Sequence, residues 1–420
     1  MNYIETYLAK NNFITSIVQT PHPELKICVV IPAFNEPAII ESLEALWNCN
    51  LPESAVEILI VINTPENSSI EIMETTNIMI VDVNKWIYNH QNEKIIFHII
   101  ERLNLPIKDA GVGLARKIGM DEAVNRLNCA GNDGIIAGFD ADAVCDTNYL
   151  TELENHFAKE SKSPGASIYY EHPLVSEDEI IDEGILRYEL HLRYLIHALR
   201  FARYPFAFHT VGSSFAVRSY AYVKQGGMNK RRAGEDFYFL QKIITLGNFT
   251  EINSSRIIPS SRLSNRVPFG TGASMNKWIT EQELTTYHLN AYKGLAQLTS
   301  NIEILFTADD SIINDILDSL PEPLMLFMLK NDFIENLKSI RNNTASLKTF
   351  CDRFYRWFDA FQVIKYLNYS HEDFYRKNNI AMEAAKLLKE LNIPFSDTVM
   401  DLLLKYRSMD RNGFNLNYQR

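Results

Sequence analysis

Two aspartates one residue apart, Asp140 and Asp142, close an apolar run at Gly138-Phe139-Asp140-Ala141-Asp142. Side chains alternate along an extended chain, so both carboxylates point to one side. With nothing basic beside them they repel each other, and a hard divalent cation such as Mg2+ or Mn2+ relieves that repulsion. A cation held there can grip a diphosphate and neutralise the charge that grows on it as it leaves. A second acidic pair, Glu235-Asp236 after Gly234, opens a helical pattern about a hundred residues later. Acids in a first helical turn are favoured by the macrodipole alone. A carboxylate there can equally take the proton of an attacking hydroxyl.

Cations that suit phosphate stand in two places. Gly111-Val112-Gly113 precedes Arg116 and Lys117. The glycines let backbone approach a ligand and the two cations can pair with phosphate, although a turn before a helix reads the same way. Arg256, Arg262 and Arg266 lie in a stretch rich in Ser, Gly and Pro. It is either a loop that closes over a diphosphate or a solvated basic loop. His209 and His288 are candidate further metal ligands, set against the commoner structural use of a lone histidine.

These residues need a scaffold, and the apolar pattern supplies one. Residues 27–34 and 56–62 read as buried strands, as do 94–100 and 134–139, whereas 36–48 and 113–127 carry helical spacing. Alternating strand and helix predicts a parallel sheet covered on both faces. Ligands of such sheets bind beyond the carboxyl ends of the strands, where Asn35, Asn63 and Asp140 fall. Further helices are expected over 178–204 and 236–246, with a strand or loop–strand over 208–218. Beyond about residue 280 the pattern is helical alone. Phe350, Phe354, Trp357, Phe361 and Ile364 form a core stripe there. The expected division is 1–280 and 281–420.

The order of these motifs resembles the family 2 glycosyltransferases. Val30-Ile31-Pro32-Ala33-Phe34-Asn35-Glu36 is similar to the family's opening strand-turn. Ala115-Arg116-Lys117-Ile118-Gly119 resembles the stretch whose arginine lies near the nucleotide, and Phe139-Asp140-Ala141-Asp142 the metal triplet, a DxD motif. Val211 to Arg218, Gly226-Gly227-Met228 and Gly234-Glu235-Asp236 resemble the acceptor-side segment. Asn63 departs from the pattern, since the family usually places an acid there to hold the base of the nucleotide.

The resemblance covers about residues 26–250. It implies a GT-A fold (Rossmann-like, with a mostly parallel central sheet and helices on both faces) followed by a C-terminal all-helical region. It implies transfer of a sugar from a UDP- or GDP-linked donor to an acceptor hydroxyl, with inversion, using Mn2+ or Mg2+. Pro32, Ala33, Asn35, Glu36, Asn63, Arg116 and Asp140 would line the nucleotide-sugar site. Asp140 and Asp142 would hold the metal, and Asp236, with Glu235, would be catalytic. The acceptor would be a glycan, a lipid-linked molecule or a small molecule, in the setting of surface glycan biosynthesis. Two other readings stand beside it. One is a retaining GT-A enzyme acting on a small acceptor, for which His288 and His371 are the histidines that follow the Glu-Asp pair. The other is a sugar-phosphate nucleotidyltransferase.

Bulk properties narrow the class. The chain has 420 residues and a net charge of −11. No basic stretch dominates, which argues against nucleic acid as a partner. An odd count of five cysteines without a CxxC predicts reduced thiols. The N-terminal residues do not read as a signal peptide and no apolar run spans a bilayer. The expected location is therefore cytoplasmic, either free or peripheral at the inner face of the membrane. The helical region can serve as packing, as a homodimer contact or as a wall of the acceptor cleft.

Overall fold

The computed structural model describes residues 3–174, 178–262 and 271–413. After α1 (Tyr3–Lys10) the chain alternates: β1 (Leu25–Ala33), α2 (Ile39–Trp47), β2 (Ala55–Pro65), α3 (Ile70–Asn89), β3 (Ile95–Leu105), α4 (Val112–Cys129), β4 (Ile135–Gly138). Then come β5 (Val144–Cys145), α5 (Tyr149–Lys159), β6 (Gly165–Tyr170), α6 (Glu179–Phe201), β7 (Phe215–Arg218), α7 (Ser219–Lys224), α8 (Glu235–Ile244) and β8 (Thr250–Ile258).

These strands form one sheet in the order β3-β2-β1-β4-β7-β6-β8-β5. β3, β2, β1 and β4 run parallel. β7 is antiparallel to both β4 and β6, β8 is parallel to β6, and β5 is antiparallel to β8. The architecture is the expected α/β one, a mostly parallel sheet with a C-terminal helical region. β1 and β2 are buried on both faces, as central strands under helical cover must be.

Proline inside β1 is tolerated for a specific reason. The Val30 carbonyl accepts from Phe139 N–H on the β4 side. Pro32, two residues on, faces that same side, where β4 has already ended at Gly138 opposite Val30. Its missing N–H leaves the Phe139 carbonyl without the next ladder donor, so the pairing with β4 stops there. Asn35 then takes a left-handed turn with φ 46°, a conformation Asn tolerates.

The chain divides into two compact units. Unit 1 is Met1–Val175 with Thr210–Ser274, and unit 2 is Ser176–His209 with Met275–Arg420. The sequence split at 280 therefore misplaces α6, which groups with the C-terminal helices. The reason lies in its buried face. Glu189 and Arg193 on α6 pair with each other, and the partners that complete the network sit on the last helix, more than two hundred residues on.

Unit 2 continues through α9 (Thr271–Glu281), β9 (Thr285–Thr286), α10 (Leu289–Leu305), α11 (Asp310–Ser319), α12 (Glu322–Lys330), α13 (Phe333–Asn342) and α14 (Leu347–Trp357). It ends with α15 (Ala360–Asp373), β10 (Asn378–Asn379), α16 (Ile380–Glu390) and α17 (Val399–Arg411). The division falls within α9. The region is not helical alone, since β9 and β10 pair antiparallel. Phe350 and Phe354 are buried as the stripe predicted, but the helix ends at Trp357, and Ile364, on the next helix, is 38% exposed. Asp410 on α17 is the centre of a buried charge network. It bonds Arg193, takes His197 Nε2 at 2.9 Å, Arg200 Nη1 at 3.3 Å and His209 Nε2 at 3.3 Å. Burial pushes its carboxyl up, yet His197 and His209 hold it well below the usual carboxylate range. Among the described residues no helix is long and apolar enough to cross a membrane.

Candidate active site

The register of the parallel strands gathers the sequence-predicted residues of unit 1 at one end of the sheet. Ala33 on β1 lies opposite Ile62 on β2, so Pro32, Ala33 and Asn35 come beside Asn63. Gly138 on β4 lies opposite Val30, which carries Asp140 and Asp142 past the same edge. Asn63 and Glu36 are buried, and the Asp140 and Asp142 side chains are 38% and 31% exposed.

Arg116, one turn into α4, is the hub. Its guanidinium is buried, bonds Glu235 and donates to Asp140 Oδ1 at 2.6 Å. Asp236 adds to the negative field on it. A methyl group at Gly212 would stand 2.7 Å from Arg116 Nη1 and 3.1 Å from Asp236 Oδ2. Only glycine lets the chain before β7 pass so close to both, a requirement the motif comparison had not singled out. Three carboxylates thus share one cation. Burial pushes the Glu235 carboxyl up to about 7, with Asp236 and Asp140 adding to the rise and Arg116 opposing it. Burial likewise raises Asp236, again against Arg116.

A second cation stands over the other acids. Arg262 donates to Glu36 Oε1 at 2.8 Å and to Glu36 Oε2 at 2.6 Å, a two-pronged clamp, and lies 3.4 Å from Asp142 Oδ2. Glu36 Oε1 also accepts from Ala38 N–H at 3.1 Å, which fixes the turn after β1. Among the described residues Arg116 thus faces Asp140, Glu235 and Asp236, and Arg262 faces Glu36 and Asp142.

A divalent cation at this edge would meet two half-buried carboxylates, Asp140 and Asp142. Among the described residues no group of three or more His, Cys, Asp or Glu forms a complete ligand cage. Asp140 and Asp142 would supply two carboxylates, and phosphate oxygens would supply the rest, the manner in which Mg2+ and related ions are usually held beside phosphates.

Other candidates have structural employment. Arg256 is on strand β8 rather than in a loop, where it bonds Glu171 and donates to Asp146 Oδ1 at 2.9 and 3.1 Å. Its alternating neighbours Ser254 and Ser255 had disguised a strand as a loop. Arg266 lies outside the described residues. Lys117 bonds Asp121 Oδ2 at 2.8 Å and Tyr7 Oη at 3.1 Å, fastening α1 instead of facing a ligand. His209 belongs to the Asp410 network. His288 caps α10 by accepting from Asn290 N–H at 3.1 Å, and His371 Nε2 accepts from His288 N–H at 2.8 Å. These three histidines have partners within unit 2.

Comparison with known proteins finds no matching family model and no matching curated protein. Solved structures give remote likenesses. TarS of S. aureus is 13% identical, over 82% of this chain and 55% of that chain, with a TM-score of 0.36. GalNAc-T7, solved with UDP, GalNAc and Mn2+, is 15% identical over 70% of this chain and 54% of that one, with a TM-score of 0.39. The mannosyltransferase PcManGT from Pyrobaculum calidifontis, solved with GDP-Man and Mn2+, is 13% identical over 98% and 93%, with a TM-score of 0.35. The chain spans about half the length of the first two, 55% and 54%. What the site does is argued from its own residues.

Proposed function

We propose that unit 1 is the catalytic unit of a divalent-cation-dependent glycosyltransferase of the GT-A type, family 2-like, that moves a sugar from a nucleotide diphosphate to an acceptor hydroxyl with inversion. The observation that carries this reading is the gathering of Glu36, Asp140, Asp142, Glu235 and Asp236 past the carboxyl edge of β1, β2 and β4, with the two DxD acids partly open to solvent. A diphosphate arriving beside those carboxylates is repelled by them. It can enter together with Mn2+ or Mg2+ held by Asp140 and Asp142, which would also offset the charge on the departing diphosphate.

The chain's own groups divide the remaining work. Pro32, Ala33, Asn35, Glu36 and Asn63 form the wall for the nucleotide, UDP- or GDP-linked. Arg116 holds Asp140 and Glu235 in place. Its Nε is buried without a hydrogen bond among the described residues. Asp236 accepts the proton of the acceptor hydroxyl as its oxygen bonds the anomeric carbon and the bond to the diphosphate breaks. A carboxyl raised by burial is a stronger base than a solvated one. Unit 1 would supply the chemistry and unit 2 a packing, acceptor-facing or dimer surface. A cytoplasmic enzyme acting on a glycan, lipid-linked or small acceptor is the setting that fits.

The test is Asp236→Asn. Calorimetry with UDP and GDP, with and without Mn2+, should show nucleotide binding nearly unchanged. Turnover, read as nucleotide diphosphate release across a panel of donors, should fall by roughly 100- to 10,000-fold. Unchanged turnover would remove Asp236 from the mechanism, and loss of all metal-dependent nucleotide binding in the parent protein would end the reading itself.

A further inference from the structure

Four cations in unit 1 have no part in the site so far described. Lys108 precedes α4, and Lys230, Arg231 and Arg232 precede α8; all four are exposed. Among the described residues none of them pairs with a carboxylate, although Asp109 adjoins Lys108 in sequence.

The two loops abut. A methyl group at Gly113 would stand 2.1 Å from the Arg231 carbonyl oxygen, and one at Gly111 would stand 3.2 Å from Arg232 Cγ. The glycines read from the sequence as a place of close ligand approach are thus places of close loop approach, and they bring the Lys108 loop against the Lys230–Arg232 loop. The cations are also ordered. The Arg231 guanidinium lies 3.6 Å from the centre of the Tyr238 ring on α8. Stacking of that kind leaves the in-plane N–H groups free to donate. Both α4 and α8 begin at glycines, Gly111 and Gly234, that provide no side-chain cap.

Position decides what this surface is for. Arg232 is four residues before Asp236, the proposed base, and a base must stand at the acceptor hydroxyl. We propose that Lys108, Lys230, Arg231 and Arg232 form a docking surface for a polyanionic acceptor chain, one bearing phosphodiester or carboxylate groups at successive units. The proposal rests on the glycosyltransferase reading of unit 1 and names its acceptor class. Cations spread over two loops suit charges repeated along a chain better than a single anion, which one arginine fork would satisfy.

The experiment is fluorescence anisotropy of the full chain with fluorescein-labelled polyphosphate, polygalacturonate and neutral dextran at low and high salt. Polyphosphate or polygalacturonate should bind with an affinity that falls as salt rises, and dextran should not bind. The tighter of the two polyanions identifies the acceptor's charge. The double variant Lys230→Glu/Arg232→Glu keeps Arg231 on Tyr238 and should weaken polyanion binding by at least roughly tenfold, with Mn2+-dependent nucleotide binding as the check that it is folded. Equal binding by the double variant, binding of neither polyanion, or binding to phosphatidylglycerol vesicles in place of the polymers would overturn the proposal. Loss of the glycosyltransferase reading looks different, because nucleotide binding and turnover would be absent while polyanion binding remained.

Discussion

Replacement of Glu235 by Gln separates two roles that one carboxyl performs. In the folded chain burial raises Glu235 from its ordinary 4.5 to about 7, because Arg116 is shared with Asp140 and Asp236 and cannot offset the loss of water. At ~1.36 kcal/mol per pH unit the gap corresponds to about 3 kcal/mol. The sign follows from proton counting. An unfolded Glu235 gives up its proton near pH 4.5, whereas the folded one keeps it until about 7. Between those values the native state binds the extra proton, so stability falls as pH rises, and the full cost is present above pH 7. Glu235→Gln cannot ionise and retains an oxygen for Arg116. Equilibrium urea unfolding of parent and variant at pH 4.5 and pH 8 should therefore give similar stabilities at the lower pH and a variant more stable by about 3 kcal/mol at the higher one. The same variant should lose turnover if Glu235 takes part in the chemistry. A stability difference that does not change between the two pH values would refute the shared-guanidinium argument.

Three further outcomes are expected. Arg262→Ala removes a guanidinium from Glu36 and Asp142, so Mn2+ affinity measured from the free-ion electron paramagnetic resonance signal should rise roughly tenfold; an unchanged affinity would place Asp142 outside the metal site. Gly212→Ala puts a methyl 2.7 Å from Arg116 Nη1, and kcat in the donor-release assay should drop roughly 100-fold through displacement of the acids. Asp410→Ala takes the shared carboxylate from Arg200, His197 and His209 and leaves Arg193 with Glu189, which should lower unfolding stability by about 3–5 kcal/mol, as urea titration would show.

The parts of this protein that were legible in its residues are those in which local pattern and final environment agree. β1 and β2 are short β-branched runs buried on both faces, and no other element type explains them. Asp140 and Asp142 follow β4, but in a turn closed by Ala143 N–H on the Asp140 carbonyl, and Arg116 and Arg262 stand beside them, contrary to the expected extended pair with nothing basic near. Helix α4 was readable for its length, but its buried faces carry charge instead of hydrocarbon. Arg116 answers Glu235, Lys117 answers Asp121 and Arg126 answers Glu57. Partners 119 and 69 residues away in sequence leave no trace in a window of a dozen residues. The same difficulty hid Arg262 on Glu36, 226 residues apart. β8 was mistaken for a loop because its polar residues are satisfied by neighbours such as Asp146, which only the folded sheet supplies. Helix α6 was assigned to the wrong unit because nothing in its periodicity says which core its apolar and charged stripe will enter.

That discontinuity has a practical consequence for anyone who cuts this gene. A fragment ending near residue 280 would carry α6 with Glu189, Arg193 and His197 stripped of Arg407 and Asp410, and a fragment beginning there would lack the helix that completes its core. Neither piece is a fair test of what its half does. The growing polypeptide faces the same problem on the ribosome, where Arg193 must wait for a partner made 217 residues later. Excision of residues 176–209 with a short splice, combined with removal of everything after 274, is the truncation that respects the way the chain is folded.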